Sequence, residues 1–285
     1  NDRSAVDVSD EERRAEFEFR WQGAGGGFRM LRAFNDLLRN PRSNRHAADF
    51  VRSKIREIVK DPKVADLLCP KDDLPFGAKR LCVDTDYYQT FNRDHVQLVD
   101  VKAAPITRIT PDGIRTTERE YALDAIVFAT GFDAMTGAVL AVDIRGSGGV
   151  SMREKWSAGP RTYLGLSVAG FPNLFIVAGP GSPSVLSNMV HSIEVHVDWI
   201  TDLLAQARQR GVARIEADQA SEDHWVAHVN EVASRTLYTV GNSWYLGANV
   251  PGKPRVFMPY VAGVPAYQKV LDEVAGKGYE GFALS

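Results

Sequence analysis

Asp124-Ala125-Ile126-Val127-Phe128-Ala129-Thr130-Gly131-Phe132-Asp133 is the stretch whose reading decides the fold. Its apolar run, Ala125 to Phe128, predicts a strand buried on both faces, as in a parallel sheet covered by helices. The run ends in the small residues Ala129-Thr130-Gly131, which let another backbone or a flat ligand approach closely. A tight strand exit with no ligand reads the same way. Leu174 to Ala178 has the same texture and predicts a second fully apolar strand. Val96 to Val101 alternates and predicts a third. Ile106 to Thr110 and Gly113 to Thr117 flank Pro111-Asp112-Gly113, a hairpin signal. Strands of this kind among helices predict an α/β fold.

Upstream the texture is helical. Ser9-Asp10-Glu11-Glu12 is a helix opening, with a capping residue, Glu at the third following position and acids in the first turn. This helix is expected to run to about Gln22, with Phe17, Trp21 and Ala24 on its buried face. Gly23-Ala24-Gly25-Gly26-Gly27 then stops it. A second helix fits Phe28 to Arg39, closed by Asn40-Pro41, and a third fits Arg45 to Val59. Asp61-Pro62 opens a short fourth, to Leu68. Downstream, a loop from Gly179 to Ser184 leads into a long helix from about Asn188 to Arg210. Its predicted apolar face is Val190, Ile193, Val197, Ile200, Leu203 and Leu204. Further helices fit Ser221 to Ser234 and Ala266 to Ala275.

Composition narrows the function. The 285 residues suggest two domains, at about 150 residues per domain. Lys+Arg of 34 against Asp+Glu of 36 gives a net charge of −2, which makes no case for nucleic acid or an anionic membrane. No apolar run is long enough to span a bilayer. Asn1 to Arg14 is polar and charged and does not read as a signal peptide. A chain opening on Asn1 and leading straight into a charged helix reads as a continuation of something longer. Two cysteines, Cys69 and Cys82, support neither a disulfide framework nor a thiolate metal site, so the reading is a reducing, cytoplasmic protein.

Several chemistries fail on spacing. Gly23-Ala24-Gly25-Gly26-Gly27-Phe28 lacks the third glycine of a dinucleotide fingerprint and follows a helix, so it reads as a helix connector. His224 and His228 lie one helical turn apart, but Trp225 and Val226 replace the glutamate that a zinc hydrolase needs; no metal site is expected. Gly165-Leu166-Ser167-Val168-Ala169 misses the nucleophile elbow at its last residue. Three features remain open. Gly179-Pro180-Gly181-Ser182-Pro183-Ser184 lies between an apolar stretch and a helix whose start, Asn188-Met189, offers backbone N–H groups to a carbonyl or an anionic ring edge. An ordinary connection is the equal alternative. Lys79-Arg80 suits a phosphate or an oxyanion, or is a solvated basic pair. Trp244, in a loop-like setting, covers a ligand or packs into the core.

Read as a set, these stretches resemble the C-terminal part of the Baeyer–Villiger monooxygenases, flavoproteins that insert oxygen beside a ketone carbonyl. The resemblance is carried by Gly25-Gly26-Gly27-Phe28-Arg29, Pro75-Phe76-Gly77-Ala78-Lys79-Arg80, Tyr87-Tyr88 with Phe91-Asn92-Arg93, and the strand ending in Ala129-Thr130-Gly131-Phe132-Asp133. It continues through Arg161-Thr162-Tyr163-Leu164-Gly165, Ala178 to Ser184, Ser243-Trp244-Tyr245, Gly247 to Lys253 and Gly278 to Phe282. Pro259 and Pro265 depart from the pattern.

The resemblance implies two Rossmann-type domains, for FAD and NADP, of which this chain holds the C-terminal parts. Residues 1–132 would belong to the NADP-binding domain, with a helical insertion at 9–68, and residues 133–285 to the FAD-binding domain. Both glycine fingerprints would lie upstream, so the chain by itself is expected to be inactive and to need the N-terminal half. The implied reaction converts ketones to esters or lactones with NADPH and O2 through a flavin peroxide. Arg80 matches the family's active-site arginine and also lies by NADP. Lys79 matches a lysine contacting the NADP phosphate or ribose, and Trp244 a tryptophan over bound NADP. Met189, with Asn188 before it, matches a position at the flavin ring. Ser184, Val185 and Leu186 match the substrate pocket. The alternatives are an N-hydroxylating or sulfur-oxidising flavin monooxygenase, and a non-catalytic remnant.

Overall fold

The computed structural model describes residues 2–23, 26–82 and 84–285. It divides into two compact units, 1–131 and 132–285.

The first unit is built on helices α1 (Asp10–Gln22), α2 (Gly26–Leu31), α3 (Pro41–Ile58), α4 (Pro62–Leu68) and α5 (Tyr87–Thr90). α1 starts at the expected capping box: Ser9 accepts from the Glu12 N–H at 3.2 Å, and Glu12 accepts from the Ser9 N–H at 3.2 Å. Phe17 is buried, with Phe34 and Phe50 at ring-centroid distances of 5.4 and 5.3 Å, and Trp21 lies edge-on to Phe50. Ala24, expected on the same face, lies outside the described residues, as does Gly25.

Two helix expectations change. The helix expected from Phe28 to Arg39 ends at Leu31. Beyond it Asp36 accepts from the Ser4 and Ser43 hydroxyls and the Ala5 N–H, ties that hold the chain in turns. α3 begins four residues before Arg45, because Asn40 caps it and Pro41 fits the first turn, where its missing N–H is no loss. α4 is capped by Asp61, as read.

The hairpin forms as expected. β1 (Ile106–Thr110), β2 (Gly113–Thr116) and β3 (Glu120–Ala122) make a three-stranded antiparallel sheet. Gly113 is required at its turn, since a Cβ there would meet the Tyr121 carbonyl oxygen at 1.9 Å.

The other strand expectations are corrected. Val96–Val101, Ala125–Phe128 and Leu174–Ala178 form no strand among the described residues. Val127 and Phe128 are 88% and 69% exposed rather than buried. No described segment supplies a ladder along either apolar run, and without paired backbone groups a run is not a strand. No parallel sheet forms among the described residues.

The second unit contains α6 (Gly137–Ala141), α7 (Met152–Lys155), α8 (Met189–Gln209), β4 (Ile215–Ala217), α9 (Gln219–Ser234), α10 (Val264–Gly276) and β5 (Phe282–Leu284). β4 and β5 pair antiparallel, Ile215 opposite Leu284. Its main core gathers Leu164, Leu166, Trp199, Leu203, Trp225, Tyr260, Tyr267, Leu271 and Tyr279. α8 matches its expected span, but its buried face is Ser192, His196, Trp199, Leu203 and Ala207. Val190, Ile193, Val197 and Leu204 face outward, Val190 being 65% exposed. Hydrogen bonds select the buried stripe: Trp199 Nε1 donates to the Leu271 carbonyl at 3.0 Å, and His196 Nδ1 accepts from the Ala178 N–H at 2.8 Å. No helix among the described residues is long and apolar enough to cross a membrane.

Candidate functional site

The sequence-derived site residues fall into both units: Lys79 and Arg80 in the first, the rest in the second. In the first unit Asn44 on α3 grips the segment before the basic pair. Its amide donates to the Leu37 and Phe76 carbonyls at 2.7 and 2.9 Å and accepts from the Phe76 N–H at 2.8 Å. Gly77 turns the chain at φ +81°, and a Cβ there would lie 2.5 Å from Leu31 Cδ2. The Ala78 N–H closes the turn on the Pro75 carbonyl at 3.0 Å. Phe76 and Ala78 are buried and Lys79 and Arg80 exposed, so a rigid turn presents both cations at the surface.

In the second unit the loop from Ala178 to Ser184 is held from several sides. Ala178 takes φ +55°. Thr162 Oγ1 donates to the Pro180 carbonyl at 2.6 Å and Trp225 Nε1 to the Gly181 carbonyl at 3.1 Å. The Gly181 N–H reaches the Met258 carbonyl at 2.7 Å, and the Tyr260 N–H reaches the Ser182 carbonyl at 2.8 Å. Pro259 stands between those two contacts, where its missing N–H breaks nothing. Pro265 lies in the first turn of α10. Gly179 is packed so closely that a Cβ would meet the Gly165 carbonyl oxygen at 2.5 Å.

The loop delivers the chain to α8. Asn188 caps the helix with its side chain, accepting from Val190 and His191 at 3.1 and 3.4 Å. The cap does not take the N–H of Met189, the first helical residue, and Met189 is exposed. Ser184 is buried at φ +43°, its hydroxyl 3.6 Å from Met135 Sδ. Val185, Leu186 and half-buried Trp244 pack together against buried Ala233, Tyr245 and Phe257. Trp244 lies on Tyr245 at 4.3 Å between ring centroids, and Ser243 caps its short turn by accepting from the Tyr245 N–H. Trp244 is therefore packed in part, as the core reading has it, and part of its surface stays accessible.

A Baeyer–Villiger monooxygenase of Pseudooceanicola batsensis is 44% identical over 276 residues, 96% of this chain and 50% of that protein. A phenazine N-monooxygenase of Lysobacter antibioticus is 42% identical over 283 residues, 99% of this chain and 51% of that protein. Among solved structures, OTEMO in complex with FAD and NADP matches with a TM-score of 0.94 at 42% identity, over 100% of this chain and 52% of that one. Over nearly its whole length the chain is a homologue of the Baeyer–Villiger monooxygenases. It spans about half the length of the relatives it matches, corresponding to their C-terminal part. No protein-family model matches it. The fold class is accordingly α/β, that of enzymes with Rossmann-type FAD and NADP domains, although the described residues carry only helices and small antiparallel sheets.

Against that family background, two ties stand out that the sequence reading missed. Asn249 Nδ2 donates to the Phe132 carbonyl at 3.0 Å, and Lys253 Nζ pairs with Asp133 and donates to the Ala134 carbonyl at 2.9 Å. Phe132, Asp133, Asn249 and Lys253 lie in stretches that carried the resemblance, which was the available signal. A third missed residue is His196. Its pKa is pushed down to about 4 by burial, so the ring is neutral. Its Nδ1 accepts from a backbone N–H, which fixes the proton on Nε2, and Nε2 is buried without a partner. An orphaned buried donor costs about 1–3 kcal/mol. His228, paired with His224 in the sequence, instead meets the Tyr260 hydroxyl at 3.2 Å.

Proposed function

We propose that the chain is the C-terminal portion of a flavin-dependent Baeyer–Villiger monooxygenase that converts ketones to esters or lactones with NADPH and O2. The observation that carries this reading is the braced loop from Ala178 to Met189, whose cap leaves the Met189 N–H untaken at an exposed helix start. That donor suits an electron-rich edge of the FAD ring, so the residues present fit this group. When bound, FAD supplies the oxygen-transfer chemistry with NADPH and O2. Residues 1–132 form the C-terminal part of an NADP-binding domain, with 9–68 inserted, and residues 133–285 that of an FAD-binding domain. The N-terminal half of the enzyme is the required partner, and the setting is cytoplasmic, in keeping with the free thiols Cys69 and Cys82.

Each residue has a task. The Arg80 guanidinium favours the oxyanion that develops on the substrate when oxygen adds to the carbonyl. Together with Lys79 it offers donors to NADP, Lys79 reaching the phosphate or ribose. Trp244 covers NADP with its accessible edge. Asn188 holds the helix start so that Met189 meets the flavin. Val185 and Leu186 line the ketone pocket with side chains, and Ser184, whose hydroxyl is turned inward, shapes it through its left-handed backbone. The test is the full-length protein with FAD, NADPH and a panel of ketones: ester or lactone must appear, and Arg80→Ala must abolish it with FAD still bound.

A second reading, N-oxygenation, is favoured by the phenazine N-monooxygenase relative. Offering a ketone and a nitrogen heterocycle in parallel separates the two, because each product gains one oxygen but only the ketone product hydrolyses to an acid and an alcohol.

A further inference from the structure

The loop that begins at Ala178 is fastened by the helix that follows it. His196 lies two turns into α8, and its Nδ1 reaches back to accept the Ala178 N–H at 2.8 Å. Ala178 has φ +55°, a left-handed conformation that a residue with a side chain rarely adopts unless its surroundings hold it there. A backbone N–H only donates, so this contact requires an unprotonated Nδ1, and the ring therefore carries its proton on Nε2. Nε2 is buried and has no partner among the described residues. The imidazole is thus kept in the core for the lone pair on one nitrogen, while its other nitrogen goes unused.

The ring also belongs to a second tie. It lies on Tyr267 of α10 at 5.4 Å between centroids, and the Tyr267 hydroxyl donates to the Leu164 carbonyl at 2.5 Å. Leu164 and Gly165 are left-handed as well, at φ +57° and +71°. Their turn lies directly against the loop: a Cβ on Gly179 would meet the Gly165 carbonyl oxygen, and a Cβ on Gly165 would meet the Ser182 nitrogen at 2.6 Å. Two left-handed turns, at Leu164–Gly165 and at Ala178, therefore face each other, each held by an aromatic side chain, and the two rings touch.

We infer that His196 is a positioning residue: as a neutral hydrogen-bond acceptor it locks the left-handed turn at Ala178 and so sets the course of the chain from Gly179 to Met189. This rests on the flavin reading only for its consequence, that the locked loop places the Met189 N–H for the cofactor. The lock is a property of the chain whether or not a flavin binds. Its chemistry demands an acceptor at the Nδ1 position. Asparagine supplies one, since its Oδ1 is the same number of bonds from Cα. Leucine supplies none, and glutamine carries its oxygen one bond too far.

The test compares His196→Leu, His196→Gln and His196→Asn with wild type in the full-length protein, with two readouts. The first is amide hydrogen exchange of the peptide spanning 178–189 in flavin-free protein. Exchange there rises at least tenfold in the leucine and glutamine variants and stays within threefold of wild type in the asparagine variant. The second is FAD affinity, followed by flavin fluorescence on release, which weakens at least tenfold in the first two variants and recovers in the third. Unchanged exchange in both the leucine and glutamine variants overturns the lock, and so does an asparagine variant that exchanges as fast as they do. If the leucine variant fails to fold, the glutamine and asparagine pair still decides. A wild-type protein that takes up no FAD defeats the flavin reading alone, because the exchange comparison stands without it.

Discussion

Replacing Glu222 with alanine removes the buried carboxylate of an ionic cluster that supports the loop-bearing unit. Glu222 is fully buried on α9. One carboxylate oxygen meets Lys155 Nζ at 2.9 Å and Arg161 Nε at 3.4 Å, and the other accepts from the Ala169 N–H at 2.8 Å. Arg161 directly precedes Thr162, which holds Pro180, so the cluster also steadies the loop. Removing one partner of a buried pair costs about 3–5 kcal/mol, because the remaining charge and donors stay desolvated. Here Lys155 keeps the Gln219 side-chain Oε1 at 2.9 Å and Arg161 keeps Asp223, which points to the lower end, about 3 kcal/mol. At about 2–4 °C per kcal/mol for a unit of this size, the melting midpoint of Glu222→Ala should fall by about 6–12 °C. Glu222→Gln, which retains part of the hydrogen bonding, should fall between the variant and wild type. Thermal unfolding followed by tryptophan fluorescence reports on this unit through Trp225 and Trp199. A midpoint for Glu222→Ala within about 2 °C of wild type would refute the reasoning, since a drop of about 3 kcal/mol cannot hide in that interval.

Arg80→Ala should abolish ester formation while leaving FAD bound, a loss of about 3 kcal/mol or more of stabilisation at the oxyanion; product analysis beside the flavin spectrum checks it, and normal turnover would sink the assignment. Lys79→Ala should weaken NADPH more than NADH, because its attraction to a 2′-phosphate exists only where that phosphate does; equal changes in apparent affinity for the two cofactors would contradict it. Stability should also depend on pH through His196. Its folded pKa of about 4 lies below the ordinary 6.5, so its contribution is fully present above pH 6.5 and is lost as pH falls towards 4, up to about 3 kcal/mol. Urea midpoints taken across that range should drop for wild type and drop less for His196→Asn. Residues 1–285 expressed alone should show no saturable FAD binding, since the sequence has no glycine fingerprint for a pyrophosphate; micromolar binding at one site per chain would prove this wrong.

Local signals read well from the sequence. The capping box at Ser9, the cap and proline at Asp61-Pro62, the hairpin around Pro111-Asp112-Gly113 and the start of α8 at Asn188 all formed as written, because each rests on contacts within a few residues. The candidate site was legible only in part. Lys79-Arg80 and Trp244 stood out by type, but nothing local announced that Gly77 and Asn44 hold the basic pair on its turn. His196 was hidden for a different reason. The apolar periodicity of α8 pointed to the face of Val190, Ile193 and Val197, whereas the buried face was chosen by hydrogen bonds to Ala178 and Leu271, which lie far away in sequence.

The misread segments share one cause. A strand is a relation between two segments, and an apolar face is buried only if something covers it. Ala125–Phe128 and the outer stripe of α8 each have a pattern suited to burial on a second side, and each lacks a cover among the described residues, whereas Leu174, Phe175 and Ile176 are half-buried against the cores of the second unit. Phe132, 89% exposed at the end of the first run, continues the same uncovered line. α8 is apolar on both faces, the pattern of a helix packed between two layers. The relatives this chain matches are about twice its length, and apolar segments without a cover fit a layered α/β structure in which a further layer would cover them. The apolar pattern in these places asks for a partner segment, whereas the caps and turns are satisfied within a few residues. That is why the second kind of reading succeeded where the first did not.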